Sequence, residues 1–442
     1  MLGWEYPPNI NGGLGTACQG LTVALARLGV KIDFIVPRLT GKEHAPHMNL
    51  LDSYYGGKEE SEETVKNKTD PTKNISWFGI PSLLSPYARP ESFDKWIEYC
   101  RAELKDDIPE DVADMLEDAL ESETGPVGEG LYGTDLFAEV ERYTKNAIAL
   151  AKKRRFDVVH AHDWMTYPAG IAISMMSNCP LVVHVHSLEY DRSGLGVNPK
   201  IHQIEGAGVK TADTPIAVSH YTKSVINSQH GVPLEKIAVV HNGVYAKEVI
   251  RSYRNEQHNR TKMVLFLGRV TFQKGPEYFI EAAAKVIPVI PDVVFVIAGT
   301  GDMLPALKQQ VQEMGLEGHF MFPGFLKGPE IERMFSMADV YVMPSVSEPF
   351  GITPLEAMSH DVPVIISKQS GVSELLRNAF KVDFWDVEKT AHLIIGILKY
   401  PEIRDDIVDM AREEVRRIHW DAAASKTLNV YRNTIAGFKG RK

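Results

Sequence analysis

The sequence predicts an α/β protein made of two domains, each built on a parallel β-sheet. Short β-branched runs alternate with amphipathic stretches, which is typical of parallel α/β units. The alternation runs through the first half of the chain and begins again near residue 263. A length of 442 residues also exceeds what one ordinary hydrophobic core holds, so two domains are expected.

The predicted strands fall into two series. In the first half they lie at 31–37, 156–162, 181–186, 215–219 and 236–243. In the second half they lie at 263–269, 293–302, 339–345 and 362–367. A polar segment, 253–262, separates the two series and is the predicted domain boundary. We therefore assign residues 1–250 to an N-terminal domain and residues 251–420 to a C-terminal domain.

Residues 40–130 interrupt the first series. They are rich in Asp, Glu, Pro and Gly around the apolar run "ISWFGIPSLLSPY". We interpret this segment as an insertion, part loop and part acidic helix near 98–122. A solvated acidic helix face explains the charges of that helix better than a binding role does.

Composition excludes several classes of protein. The chain is 44% hydrophobic and 24% charged, as in ordinary globular proteins, and its formal net charge of −10 argues against a general nucleic-acid binder. Its three cysteines show no CxxC spacing, so neither a disulfide framework nor a zinc cage is indicated, and a reduced, cytoplasmic setting is expected. No apolar run approaches the ~20 residues that span a bilayer, so no integral membrane segment is predicted.

Polar residues follow the apolar runs repeatedly, where ligands bind in open parallel sheets. Chance places one or two such residues, but this chain has many. They are His162, Asp163, His186, Ser219, Asn242, Gly268, Arg269, Gly299, Gly301, Ser347 and Glu348.

Two groups of backbone amides are candidates for binding phosphate. In "NGGLGT", Gly12, Gly13 and Gly15 let a ligand approach the backbone at the start of a helix. A second group, at residues 351–353, comprises Gly351, Ile352 and Thr353. Two helix N-termini suit a phosphate-bearing ligand between the domains, although a tight loop before a helix is the alternative for the first.

Arg269 and Lys274, in "GRVTFQKG", supply cations that the acidic chain otherwise lacks. An arginine fork and a flexible ammonium after a strand would neutralise a diphosphate and stabilise it as it leaves. The alternative is a pair of solvated surface charges.

Glu348 and Glu356 lie eight positions apart in "EPFGITPLEAM". A carboxylate repels phosphate but accepts hydrogen bonds from neutral hydroxyls, which points to a sugar. Glu348 would hold hydroxyls of a transferred hexose and Glu356 those of a ribose. The alternative for Glu356 is a capping box, with Thr353 as the N-cap, Pro354 at the first helical position and Glu356 at the third.

Two His-x-His pairs, in "HAHD" and "HVH", raise a metal site as an alternative. Residues two apart on a strand share a face, so the spacing permits chelation. The sequence has no further clustered Asp or His there, and buried histidines satisfied by their neighbours are commoner than ligands. We therefore predict no metal.

On these residues the sequence resembles the retaining GT-B glycosyltransferases of family four and, in its N-terminal half, the related glycogen and starch synthases. The stretches that carry the resemblance are "WEYPPNINGGLGTA", "VVHAHDWMTYPAG", "HVHSLEY", "AVSHYTK", "VVHNGV", "FLGRVTFQKGPEYFIEAA", "FVIAGTGD" and "EPFGITPLEAM". The resemblance implies a GT-B fold, in which two Rossmann-like, doubly wound domains face a central cleft. It also implies that the last helix, within 421–442, crosses back onto the N-terminal domain.

The resemblance also implies roles for individual residues. Asp163 and His186 would face the reacting sugar, Glu348 would bind its hydroxyls, and Glu356 would bind the ribose. Arg269 and Lys274 would bind the diphosphate, and Lys274 counts with Asp163, His186 and Glu348 as catalytic. The remaining donor-binding residues would be Gly12, Gly13, Asn242, Gly351, Ile352 and Thr353. The family generally needs no metal, and we expect no cofactor beyond the co-substrate, an ADP- or UDP-hexose.

Two stretches depart from the family pattern. Synthases usually carry "KTGGLGD" where this chain has "NINGGLGT", so an expected lysine is absent and polymer synthesis is less secure. Downstream, "SGVSEL" replaces the more common Gly-Gly pair before Glu374.

The start of the chain also differs from similar proteins, which have a complete apolar strand before the Gly-rich loop. Only Met1 and Leu2 precede Gly3 here. We therefore expect Met1 to be an internal methionine of a longer natural protein. The alternative is a genuine start with another segment in the gap, such as "NISWFGI" at 74–80.

The leading functional hypothesis is a retaining transferase that extends an α-glucan from ADP- or UDP-glucose. Alternatives are a family-four transferase with another sugar or acceptor, of mannosyl or sucrose/trehalose type, and a non-catalytic sugar-nucleotide sensor. A sugar-nucleotide 2-epimerase is a further alternative, against which the paired glutamates argue. The sequence leaves the base, the sugar, the acceptor and the oligomeric state open.

Overall fold

The structure is a computed structural model that describes residues 1–7, 13–37, 48–52, 75–79, 135–152, 154–194, 196–245 and 261–441. Over these residues it contains two α/β domains with parallel sheets, which confirms the predicted fold class. Gly12, the acidic helix near 98–122 and most of the segment 253–262 lie outside the described residues. The structure therefore does not test the predictions made for them.

The N-terminal sheet is assembled from two groups of parallel strands. Its strands are β1 Ile32–Val36, β2 Met48–Asp52, β3 Ile75–Gly79, β4 Val159–His162, β5 Leu181–Val185, β6 Thr214–Ala217 and β7 Ala238–Val239. They are ordered β2-β3-β1 and β4-β5-β6-β7. Leu2 lies between the groups, paired with Ile35 of β1 and Ala161 of β4. One residue thus holds the central position of this sheet.

Two strands, β2 and β3, come from the segment that we interpreted as a loop and helix insertion. The position of β3 also tests the alternative that the segment 74–80 replaces the strand that is missing near the start of the chain. The segment 74–80 contributes β3, which pairs with β1 on the side away from Leu2. The proposal that it fills the gap between β1 and β4 is therefore wrong.

Helices cover the N-terminal sheet. They are α1 Gly13–Arg27, α2 Asp135–Ala151, α3 Tyr167–Ser177, α4 Glu189–Ser193, α5 Pro199–Thr211 and α6 His220–His230. Capping side chains set two of their starts. The Asn198 side chain accepts hydrogen bonds from the first-turn amides of α5, and Ser219 accepts one from Thr222 N in α6.

The C-terminal sheet follows one order, β10-β9-β8-β11-β12-β13. Its strands are β8 Lys262–Leu267, β9 Val293–Ala298, β10 Phe320–Gly324, β11 Val340–Met343, β12 Val364–Ser367 and β13 Phe380–Val382. Its helices are α7 Pro276–Val286, α8 Leu304–Glu313, α9 Pro329–Met337, α10 Thr353–Ser359, α11 Val387–Lys399 and α12 Pro401–Val415. The strand order reverses between β8 and β11, so the loops that leave these strands diverge and form a crevice.

The last helix, α13 Trp420–Gly437, lies on the N-terminal domain. The Trp420 ring packs on Gly20 of α1, where a Cβ would come within 2.1 Å of it. Tyr431 Oη lies 2.5 Å from His160 Nδ1. The chain therefore passes twice between the sheets, and the two passages touch where Val244 N donates to Ile418 O at 3.0 Å. The domain limits at 250 and 420 stay a prediction.

Candidate functional site

The candidate site residues lie at the reversal points of the two sheets. In the C-terminal domain, Lys274 follows β8 and Glu348 follows β11, the strands that flank the reversal. In the N-terminal domain, Asp163 follows β4, next to the position of Leu2. Ligands of open α/β sheets bind at such points. The topology thus brings together residues that are far apart in sequence.

Asp163 has an unusual backbone conformation, with φ 59° and ψ 166°. Residues other than glycine rarely adopt it, and it costs on the order of 1–3 kcal/mol. The backbone N of His186 donates to Asp163 Oδ1 at 2.7 Å, and the backbone N of Ser187 does so at 3.4 Å. The strained residue is therefore fixed to the end of β5. Burial raises the pKa of Asp163 to about 7.

His160 and His162 on β4 stack with His184 and His186 at β5. Ring centroids of neighbouring members lie 4.2 to 5.4 Å apart. His162 Nδ1 lies 2.9 Å from His186 Nε2. Burial lowers the pKa of His160, His162 and His184 well below its ordinary value and lowers that of His186 to about 3. All four rings are thus neutral at pH 7.

The stacking of these rings bears on the metal alternative. One nitrogen each of His160, His162 and His184 can lie within 4.8 Å of the others. Ring planes that stack, as those of His160 and His184 do with 12° between them, direct their nitrogen lone pairs side by side rather than to one point. These three rings are at most 1% exposed. This geometry suits a neutral polar wall better than a chelate.

Glu348 and Lys274 form an ion pair, with Nζ 2.5 Å from Oε2. Ser345 Oγ donates to the same oxygen at 3.2 Å. Gly351 ends the turn with φ 96°, and a Cβ there would lie 3.2 Å from Glu348 Cγ. Only glycine therefore fits where the chain must turn close to the Glu348 side chain.

Arg269 lies on a loop that rests against glycine backbone. A Cβ at Gly299 would come within 1.8 Å of Gly268 O, and one at Gly301 within 2.0 Å of Val270 O. The loop that carries Arg269 therefore packs directly on the backbone of Gly299 and Gly301, which have no side chains. Arg269 Nη2 donates to Gln273 Oε1 at 3.0 Å, which directs the guanidinium toward the turn that carries Lys274.

The capping box expected at residues 353–356 is wrong. Helix α10 begins at Thr353, and its N-cap is Ile352, which already has helical dihedral angles of −74° and −36°. Glu356 therefore occupies the fourth helical position, where its N donates to Ile352 O at 3.1 Å. Glu356 still lies in the first turn of α10, close to the residues of the second amide group.

Two other predicted donor-binding residues lie at the edges of the site. Gly13 begins α1, and a Cβ there would meet no atom within 4 Å, so packing does not require glycine. Asn242 is buried where the chain passes between the domains. Its neighbour Gly243 leaves no room for a Cβ, which would lie 2.4 Å from the backbone of His419 and Trp420.

Sequence reasoning missed the contacts that join the Glu348 segment to the N-terminal domain. Ser347 Oγ donates to Asp191 Oδ1 of α4 at 2.7 Å and lies 2.9 Å from Tyr221 Oη. Ser219 Oγ donates to Pro349 O at 2.6 Å. The residues beside Glu348 are thereby fixed to the N-terminal domain. The run of charged residues after β5 was the one signal in the sequence, but it did not indicate which residues it would contact.

Glu374 makes a further contact across the domains. It accepts hydrogen bonds from His220 N at 2.9 Å and Tyr221 N at 2.6 Å, at the start of α6. His241 Nε2 lies 3.0 Å from the same carboxylate. Burial opposes ionisation, but the hydrogen bonds from His241 and the two amides outweigh it and lower the pKa of Glu374. A charged carboxylate of one domain thus caps a helix of the other.

Family models cover most of the chain. The model for glycosyl transferases group 1 matches residues 250–414, that for glycosyltransferase family 4 matches 122–248, and that for the starch synthase catalytic domain matches 1–107. No helix among the described residues is long and apolar enough to cross a membrane.

Three relatives extend this likeness. An uncharacterized glycosyltransferase of Methanocaldococcus jannaschii is 28% identical, over 98% of this chain and 97% of its own length. A glycogen synthase of Mycobacterium tuberculosis is 25% identical, over 98% and 93%. An α-1,3-galactosyltransferase of Escherichia coli, which uses UDP-Gal and α-D-GlcNAc-diphosphoundecaprenol according to its name, is 30% identical over 56% of this chain and 68% of its own length.

Two solved structures are similar in fold. Sucrose-phosphate synthase from Thermosynechococcus elongatus matches with a TM-score of 0.68 at 20% identity, over 96% of this chain and 94% of that one. HepE from Anabaena, in complex with UDP-glucose, matches with a TM-score of 0.57 at 19% identity, over 79% of this chain and 97% of that one.

Proposed function

Since this chain belongs to the GT-B glycosyltransferases of family four and is glycogen synthase-like, we propose that it transfers a hexose from a nucleotide sugar to a glycan acceptor with retention of configuration. The favoured reaction is extension of an α-glucan from ADP- or UDP-glucose. One observation carries the proposal: Lys274 and Glu348 meet at the reversal point of the C-terminal sheet, and the adjacent Ser347 is hydrogen-bonded to Asp191, in the segment that follows His186.

The cations act on the leaving diphosphate. Lys274 has three ammonium hydrogens, so it can keep its bond to Glu348 and still donate to a phosphate. Arg269 adds a planar fork for the same group. Amides of Gly351, Ile352 and Thr353, with those of Gly12 and Gly13, complete the phosphate contacts. Negative charge that develops as the glycosidic bond breaks is stabilised by groups already in place.

The carboxylates and histidines act on hydroxyls. Glu348 accepts hydrogen bonds from the hexose, while Glu356 and Asn242 contact the nucleoside part. His186 stays neutral at pH 7, because burial lowers its pKa to about 3, so it positions a sugar hydroxyl rather than donating a proton as an imidazolium. Asp163 holds the His186 backbone and faces the same sugar. The transfer requires neither a metal nor a cofactor besides the nucleotide sugar.

Several findings support this assignment. A glycogen synthase is among the relatives that match almost the whole chain. A structural neighbour was solved with UDP-glucose, which is a property of that protein and favours a similar donor here. Synthases usually carry a lysine that "NINGGLGT" lacks. The alternative of another sugar or acceptor, as in transferases of mannosyl or sucrose/trehalose type, therefore stays open. We expect the protein to act in the cytoplasm.

The test is nucleotide release from ADP- and UDP-sugars with and without glycogen. Release that glycogen stimulates is the expected result. Tight binding without release would favour a sugar-nucleotide sensor, and conversion of the sugar without an acceptor would favour an epimerase. Thermal shift identifies the donor first, because a ligand at about 100 times its Kd stabilises a protein by about 2.7 kcal/mol.

A further inference from the structure

A second cluster of polar side chains lies on helices of the N-terminal domain, outside the proposed transfer site. His202 and Glu205 are three residues apart on α5, so they share one face of that helix. His230 is the last residue of α6 and faces them. One ligand atom from each of the three lies within 4.8 Å of the other two.

Each of these side chains has a buried atom whose hydrogen-bonding capacity is unused, although His202 itself is only partly buried. His202 Nδ1, Glu205 Oε2 and His230 Nε2 have no hydrogen-bond partner among the described residues. Glu205 is 1% exposed and His230 is 6% exposed. One ligand atom of each residue lies near the others, and buried polar atoms without partners are destabilising unless something else binds them.

The spacing suits one metal ion. His230 Nε2 lies 3.9 Å from Glu205 Oε2. Zinc binds nitrogen and oxygen at about 2.0–2.2 Å, so two ligands of one ion lie at most ~4.2 Å apart. The two imidazole rings lie 4.4 Å apart and are tilted by 31°. Directing both at one point requires the His202 ring to turn, and its partial exposure leaves room for that.

The other oxygen of Glu205 is already fixed. Oε1 accepts from Glu189 N at 2.8 Å and from Arg192 Nη2 at 3.0 Å. Bonds of this kind orient a ligating carboxylate and leave its second oxygen for the ion. Arg192 and Lys210 are positively charged neighbours of the site, so they would repel a bound cation.

We propose that His202, Glu205 and His230 bind one divalent metal ion of the Zn²⁺ type, with water in the fourth position. Two histidines and one carboxylate form a donor set that zinc prefers. The ion would join α5 to α6. Through Glu205 and Arg192 it would also support α4, which carries Asp191 at the junction with the other domain. The site is structural and independent of the proposed transfer.

The test uses the full chain without an affinity tag, stripped with a chelator and dialysed against micromolar Zn²⁺. We expect one zinc per chain by mass spectrometry and a higher Tm with zinc. His202→Gln should weaken zinc binding at least about a hundredfold, since loss of an outer-shell partner alone costs 10–100-fold. His392→Gln, on the exposed side of α11, is the matched control and should bind zinc normally.

Three outcomes would overturn the proposal. They are no stoichiometric zinc in the unaltered chain, unchanged affinity in His202→Gln, and zinc that is lost in His184→Gln but retained in His202→Gln. X-ray absorption at the zinc edge of the unaltered chain gives a check that needs no variant. It should show nitrogen and oxygen ligands with imidazole scattering, and sulfur in the first shell would place the ion elsewhere. None of these results bears on nucleotide release.

Discussion

The two walls of the cleft are built from different chemistry. The N-terminal wall consists of His160, His162, His184 and His186 with Asp163, and the first three histidines are at most 1% exposed. The C-terminal wall carries formal charges, and the side chains of its ion pair, Lys274 and Glu348, are 19% and 8% exposed. The histidines of one wall are neutral and buried, while the other wall carries an ion pair that is partly exposed.

The difference follows from what burial permits. A charge that is removed from water is costly unless it is paired, and an isolated buried histidine therefore loses its proton instead. The histidines of the N-terminal wall lose their protons. Lys274 and Glu348 of the C-terminal wall stay charged because they form an ion pair. Neutral imidazoles suit hydroxyls, whereas the C-terminal wall offers cations for phosphates and, in Glu348, a carboxylate for the hydroxyls of the hexose. The comparison therefore predicts that substitutions on the two walls affect different parts of the reaction.

The largest effect is expected for Glu348→Gln, which should abolish transfer while nucleotide binding stays nearly intact. Removing one preorganised electrostatic group costs up to about a thousandfold in kcat. Glu356→Gln is the matched variant on the same segment, and it should mainly weaken binding of the nucleoside diphosphate. Calorimetric titration and rate measurements separate the two, and equal effects in both variants would contradict the assignment.

Next in size are Lys274→Ala and Arg269→Ala, which should lower kcat/KM by about a hundredfold, or ~3 kcal/mol in the barrier. Lys274→Ala also leaves Glu348 without its cationic partner, so some loss of Tm is expected. The double variant Lys274→Met with Glu348→Gln should restore Tm but not activity. Lys285→Ala, in an exposed ion pair with Glu388, is the control. Near-normal turnover in both single variants would exclude the phosphate role.

The neutral wall should make folding sensitive to acid. The unfolded chain protonates its histidines near pH 6.5, whereas His160, His162 and His184 resist protonation when folded. Their contribution is therefore complete above pH 6.5 and is lost as pH falls. Asp163 works in the opposite direction between its ordinary pKa of 3.8 and its raised pKa of about 7, because the folded form holds a proton that the unfolded form releases.

Within this wall four histidines resist protonation and one carboxylate favours it, so the wall should lower the free energy of unfolding as pH falls from 6.5 to 5. His184→Asn should make this dependence shallower by up to about 1.4 kcal/mol per pH unit. Urea unfolding at several pH values measures the slope. The exposed His392→Asn should leave the slope unchanged, and a slope in His184→Asn equal to that of the unaltered chain would contradict the argument.

A smaller effect is expected where the walls are joined. Glu374→Gln removes a negative charge from the start of α6 and should weaken the interdomain contact by roughly 0.3–1 kcal/mol. We expect the domains to close on the donor, with hinges near 244–261 and at Trp420. Small-angle scattering should show less compaction by donor in Glu374→Gln than in Glu388→Gln, and no compaction of the unaltered chain would contradict closure.

Residue type and position after strands were enough to predict where several candidate residues lie in the fold. Asp163, His186, Lys274 and Glu348 are unusual residues at strand ends, and parallel topology gathers strand ends. The capping box at Thr353 failed because the helical dihedral angles of Ile352, which make Ile352 the N-cap, depend on tertiary structure. Composition could not show that the polar segment 40–130 contains β2 and β3.

The contacts across the domains could not be predicted from the sequence either, because they too depend on tertiary structure. Ser347 and Asp191 are 156 positions apart. Both are ordinary polar residues that solvent satisfies equally well. Their pairing depends on the relative placement of two folded units, to which no local pattern refers.

The position of α13 on the N-terminal domain implies an order of folding. Its contacts join residues that are synthesised far apart in time, such as Tyr431 with His160 and Thr434 with Thr214. The C-terminal sheet has no such requirement, since its strands all lie within residues 262–382. During synthesis the N-terminal domain therefore cannot complete its fold until the last helix leaves the ribosome. Until then the α1 surface around Gly20 stays uncovered. Chaperone dependence and aggregation should concentrate in that interval.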